Sequence, residues 1–153
     1  MTDVDILVEQ DPLTGIFEIG IGDDGDFAKT EGFDTSIAMS LFTDKRASGS
    51  EVPASDLRRG WWGVLFNGVF PLFEEGSKIW LLEQARKTQD TLNDAIDFAN
   101  ESLQWLITDD HAKSIDVQGE FTDNGILLTI TIFRDQSVVE SKSFEFWQNT
   151  GSA

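Results

Sequence analysis

The chain has 153 residues, 40% of them hydrophobic and 11% aromatic, enough to bury a core and too apolar for a disordered segment. Its 28 carboxylates outnumber 11 Lys and Arg to give a formal net charge of -17, which repels nucleic-acid phosphate and anionic lipid alike. Without cysteine there is no disulfide framework, thiolate nucleophile or Cys-based zinc site, and the one histidine, His111, builds no His-rich metal cluster.

Nothing at the start of the chain reads as a signal peptide, and no apolar run approaches the roughly 20 residues that span a bilayer. Asp11 to Gly15 is a turn cluster, after which Phe17, Ile19 and Ile21 alternate with polar or small residues as a half-buried strand. Asp23-Asp24-Gly25-Asp26 supplies a hairpin turn back into a short strand from Phe27 to Lys29. Asp34 or Thr35 then caps a helix carrying Ile37, Ala38, Leu41 and Phe42. Residues 43–63 lack periodicity and form a long irregular loop that ends in Arg58-Arg59-Gly60-Trp61-Trp62-Gly63; an apolar stretch follows to Phe73. Ser77 caps a predicted helix with Ile79, Leu82 and Ala85, and a longer helix runs from about Thr88 to Leu106 with Leu92, Ala95, Ile96, Ala99, Leu103 and Leu106 on one face.

The last third is the clearest β region. Ile115, Val117 and Phe121 alternate with polar residues, Asn124-Gly125 signals a hairpin, and Ile126, Leu128, Ile130 and Ile132 share one face of the next strand. A turn near Asp135 leads to a third strand, Val138 to Trp147, completing an antiparallel meander covered on one face by the two preceding helices. The fold class is therefore α+β, read as one domain over residues 1–153.

Sites of chemistry are hard to build from these residues. A calcium loop starting at Asp24 fails at its fifth and sixth positions, Ala28 and Lys29, so a hairpin turn explains the acids. His111 follows Asp109 and Asp110 at a helix end, where a cationic ring favours the dipole, and no nucleophile-elbow or phosphate-loop sequence accompanies it. No catalytic, cofactor-binding or metal-binding residue is assigned. Trp61 and Trp62 admit two readings: core residues with Gly60 and Gly63 turning the backbone, or an interface anchor beside Arg58 and Arg59.

Several motifs, in order, resemble the Mu-like phage protein family known as gene product forty-six. They are Asp11 to Gly15, Gly25 to Ala28, Gly32-Phe33-Asp34-Thr35, Leu41 to Ala47, Arg59-Gly60-Trp61-Trp62-Gly63, Gly76 to Leu82, and the helix segment from Glu101 to Leu106. Arg59 to Gly63 is the most specific, because tryptophan pairs are rare, and the resemblance spans nearly the whole chain. The family is similar in layout to the T-even wedge proteins numbered twenty-five, which sit in the baseplate and start the sheath. Their Glu-Pro-Arg anchor has a counterpart here in Glu51-Val52-Pro53 followed by Arg58 and Arg59, at different spacing.

The resemblance implies a non-enzymatic structural subunit of a contractile tail baseplate, located in the virion and in the host cytoplasm during assembly. It implies contacts with wedge and hub proteins and with the sheath, no nucleic acid or membrane, and oligomers only within the assembly. Partner-binding residues on this reading are Glu51, Arg58, Arg59, Trp61 and Trp62. The Val138–Trp147 edge either accepts a neighbour's strand or is guarded by Glu140, Lys142 and Glu145. Two alternatives stand beside it: a tail-associated glycan hydrolase using Glu51 with Asp44 or Asp56, and an acidic inhibitor that mimics DNA.

Overall fold

Thr88 stops the chain in an extended conformation, and its hydroxyl accepts the Thr91 amide, opening the longest helix, Gln89–Thr108. A computed structural model describes residues 4–11, 13–14, 16–54, 57–60, 76–135 and 137–147, and their elements are α+β as predicted. In chain order these are strands β1 (Val4–Ile6), β2 (Val8–Gln10), β3 (Phe17–Ile19) and β4 (Lys29–Glu31), and helix α1 (Asp34–Phe42). After them come α2 (Gln89–Thr108), β5 (Ser114–Phe121), β6 (Gly125–Arg134) and β7 (Ser137–Trp147).

The predicted face of α2 is buried: Leu92, Ala95, Ala99, Leu103 and Leu106 lie against the meander β5-β6-β7. Opposite them Ile126, Leu128, Ile130 and Ile132 on β6 are all inside. Each buried Leu or Ile contributes about 1.5–3 kcal/mol, so the core rests on these two patterns. Gly119 on β5 lets the helix come close, because a Cβ there would meet Leu92 Cδ1 at 3.0 Å and Leu128 Cδ2 at 3.1 Å. α2 ends with Asp110 left-handed (φ 61°) and the His111 amide bonded back to Leu106 O at 2.9 Å. The helix is closed by that backbone bond, and the His111 ring packs edge-on against Phe33 and Trp105.

Four local expectations differ from the structure. The helix expected after Ser77 is a single 3-10 turn, Ile79–Leu82, because the Trp80 indole is held by Lys45 O and the Arg86 carbonyl accepts the Thr91 hydroxyl where α2 begins. Its N-cap position is Lys78, with no side-chain cap bond; Ser77 Oγ, one residue earlier, accepts the Ile79 amide at 3.0 Å, and α1 reaches the meander through Phe42, stacked on Phe146. The hairpin at Asn124-Gly125 forms, but its centre is Asp123-Asn124 with neither residue at positive φ. The Thr122 hydroxyl and the Lys87 ammonium hold that turn. Strands β1 and β2, absent from the sequence reading, pair with β4 and β3 respectively, so the two strands of the expected hairpin meet at the Ile21–Phe27 bridge and at Gly20–Ala28, and β4 begins at Lys29 where a strand is expected to end.

The fourth difference is the cap of α1. Neither Asp34 nor Thr35 caps it: Thr35 bonds to Ile6 O, and Asp34 is buried with Oδ1 2.6 Å from Lys142 Nζ. The Phe33 amide at the helix start is accepted by Glu140 Oε2 from across the molecule, at 2.8 Å. This follows from β7's register. The strand bulges at Val139, after which Glu140, Lys142, Phe144 and Phe146 stand opposite Ile132, Ile130, Leu128 and Ile126 on the core face. Two charges on an edge strand thus point inward.

Burial, with the Asp34 carboxyl beside it, pushes Glu140 up to about 7. Asp34 is approached by charge without a well-aimed hydrogen bond, so its oxygens can accept a proton carried on Glu140. A carboxyl whose folded pKa lies above its ordinary 4.5 stabilises the fold fully at low pH and loses that contribution as pH rises through about 7. The thermal midpoint should therefore carry a component that falls between about pH 5 and pH 8. Glu140→Gln, still able to donate to Asp34, should remove it; an unchanged pH profile in that variant would refute the shared proton.

Candidate functional site: a cationic loop closed by its own acids

The described part of the irregular loop is built on the extended segment 43–47. Thr43 O and the Lys45 amide pair with Ser77, the Ala47 amide bonds to Arg58 O, and Arg46 Nη1 reaches Arg59 O. Two glycines make this possible. A Cβ on Gly76 (φ 125°) would meet Thr43 O at 2.6 Å, and one on Gly60 (φ 109°) would meet Arg46 Cβ at 2.7 Å.

Within the loop Ser48-Gly49-Ser50-Glu51 is a reciprocal cap. Glu51 Oε2 accepts the Ser48 amide and hydroxyl at 2.8 and 2.7 Å, and the Glu51 amide donates back to Ser48 Oγ. Lys78 Nζ takes the other oxygen at 2.9 Å. These donors, the Ser48 hydroxyl foremost, hold the Glu51 carboxyl down at about 2. A general acid needs the opposite shift, so Glu51 is not poised as the general acid of a glycan hydrolase. Asp44 is pushed up by burial but lies 3.5 Å from Arg59, and Asp56 falls outside the described residues.

Arg58 fills the loop's interior: Nε donates to Val52 O at 2.8 Å and Nη2 to Pro53 O at 2.9 Å. The structure thus brings Arg58 onto the Pro53 carbonyl, while Glu51 turns instead to Ser48 and Lys78. Arg59, left-handed at φ 45°, makes a two-pronged pair with Glu83, both bonds 2.8 Å, with its guanidinium 4.9 Å from the Trp80 ring centroid. That pairing with Glu83 raises the Arg59 pKa further. Lys45 bonds Glu101 at 2.8 Å, which fastens the loop to α2 and lowers the Glu101 pKa. Of the five residues singled out from sequence, three are brought together here; Trp61 and Trp62 lie outside the described residues.

The loop's internal partners were not foreseen. Ser48 and Glu51 carried a legible signal, a Ser followed by a Glu three residues on. Glu83, Trp80, Lys78 and Glu101 come from other elements, and nothing in the local pattern announces them.

The family model for phage protein GP46 matches residues 33–139, a span that takes in α1, the whole loop and α2. The chain belongs to the phage protein GP46 family. Two relatives agree. Baseplate protein gp46 of Escherichia phage Mu is 39% identical over 110 residues, covering 70% of this chain and 73% of its own. Mu-like prophage FluMu protein gp46 of Haemophilus influenzae is 36% identical over 110 residues, covering 71% and 73%. The resemblance drawn from the motifs is therefore borne out. In this GP46 chain the family span holds the loop network complete, while Glu140 and Lys142 lie just beyond it.

The Arg59–Glu83 pair is half-exposed, so Glu83→Ala should cost less than about 1 kcal/mol of global stability. Its effect should be local: the Ala47 amide, bonded to Arg58 O, should exchange with solvent about tenfold faster. Unaltered exchange at Ala47 would mean that this pair does not hold the loop.

Proposed function

We propose that the chain is a structural subunit of a contractile phage-tail baseplate that binds wedge and hub subunits and helps connect the baseplate to the sheath. Its place of action is the virion tail, with assembly in the host cytoplasm. The observation that carries this reading is the identity with the Mu baseplate protein over most of both chains, across the segment that forms the loop.

The loop's construction supports a binding role. Its cations are closed by internal carboxylates and carbonyls, so the loop holds its shape before a partner arrives and little ordering entropy remains to be lost. Leu57, flanking Arg58 and Arg59, is nonetheless largely exposed. An exposed leucine beside two arginines, with Trp61 and Trp62 next in sequence, has the composition of an interface centre. The bond from Arg58 to the Pro53 carbonyl supports the parallel with the wedge anchor.

The edge strand β7 offers a second contact. Gln10 mimics a strand partner over one residue, its side-chain amide bonding both the Glu145 carbonyl and amide. The reading takes the edge beyond Gln10 as available to a sheath strand, with inward Glu140 and Lys142 limiting which strand fits. The net charge of -17 would orient docking toward basic surfaces.

Arg59→Ala with Trp61→Ala should cut incorporation into particles by about tenfold or more, as loss of an interface centre does. Leu57→Asp, at a largely exposed side chain, should do the same. Normal incorporation of both folded variants would reject the loop as an interface.

A further inference from the structure

By strand alternation Phe17, Ile19 and Ile21 point to one side of the N-terminal arm, and Phe27 stands directly opposite Ile21. Phe17 enters the core, its ring 4.5 Å from Phe42 and 6.2 Å from Phe144. The rest of the strip leaves the core: Ile19, Ile21 and Phe27 are 54%, 63% and 50% exposed. Three large apolar side chains in a row on water are costly without a use.

The strip is not the tip of a loose loop. Leu7, Gly20 and Ala28 form a three-way junction, each bonding the next through backbone groups at 2.8–2.9 Å. Gly20 lacks a Cβ where one would press on Ala28 Cβ at 3.0 Å and Leu7 Cδ2 at 3.1 Å. The backbone beneath the strip is therefore braced, and one end is anchored by Phe17. Its surroundings are strongly anionic. From Asp3 to Asp26 the sequence holds eight carboxylates and no Lys or Arg; Glu18, Asp23, Asp24 and Asp26 belong to the hairpin itself.

We propose that the Ile19–Ile21–Phe27 strip is the docking face for a partner protein whose own apolar contact is framed by Lys and Arg. Charge selects this occupant. A second copy would bring one anionic frame against another, and a lipid surface would bring anionic headgroups; a basic frame pairs with the carboxylates while the strip is desolvated. The face lies outside residues 33–139 and is made by other residues than the loop, so it adds a contact distinct from the one proposed above. It rests on the assembly reading only for the particle in which to look.

The test uses the full chain with a photoreactive p-benzoylphenylalanine in place of Ile21, or of Leu57 in the loop, or of Gln104 on the exposed side of α2 as control. Particles are purified, irradiated and analysed by peptide mass spectrometry. The expected result is an adduct from position 21 to a different chain, in a peptide where apolar residues neighbour Lys or Arg, with none from position 104. Ile19→Asp with Ile21→Asp should lower incorporation about tenfold while the purified variant keeps the wild-type circular dichroism. An adduct from position 21 to a second copy overturns the proposal. So does no adduct there while position 57 yields one, an outcome that leaves the assembly reading standing. Absence of the chain from the particles counts against both.

Discussion

Three charges meet on the inner face of the meander, and the joining of the molecule's two ends depends on them. Asp34, at the start of α1, is buried against Lys142 on β7, while Glu140 on the same strand accepts the Phe33 amide. A charge taken out of water is costly unless it is paired, so such a cluster specifies one arrangement more than it adds stability. Here it dictates that α1 begins where β7 passes. Phe42 at the other end of α1 then reaches Phe144 and Phe146, and Phe17 of the arm closes the aromatic group. Without the bulge at Val139, Glu140 and Lys142 would stand on the opposite face and the arm and helix would lose their seat.

The same economy of charge runs through the loop. In a chain with 28 acids and 11 Lys and Arg, Lys45, Arg58, Arg59 and Lys78 all turn inward to hold the loop or to fasten it to α2. The outer surface is thereby left mainly anionic. Among the apolar residues that break it are Leu57 in the loop and the Ile19–Ile21–Phe27 strip. An anionic surface with a few fixed apolar contacts suits a protein that is steered to basic neighbours over long range and held by burial at short range.

Much of this architecture was legible in the residues. The α2 stripe and the alternation of β6 were read correctly because each buries one uninterrupted face, which gives periodicity its strongest form. β1 and β2 are three residues each and split at Leu7 between two partners, too short to show a period. The stretch after Ser77 has the apolar spacing of a helix, but Trp80 and the turn into α2 draw on partners outside the segment. Asp34 looked like a cap because Asp favours caps; only the β7 register shows that a lysine 108 positions later needs it. The family motifs pointed to the loop, whereas its closure by Glu83, Lys78 and Glu101 is tertiary and leaves no local trace.

The central claim is that this GP46-family chain is a fixed part of a tail end, docked through the loop and the arm. A cryo-electron microscopy map of the tail carrying it tests that most directly. The account predicts density for the fold in the baseplate next to the sheath, with residues 43–60 and the Ile19–Ile21–Phe27 strip both buried against other chains. A map that accounts for every baseplate subunit without this chain, or that leaves both surfaces facing solvent, would contradict it.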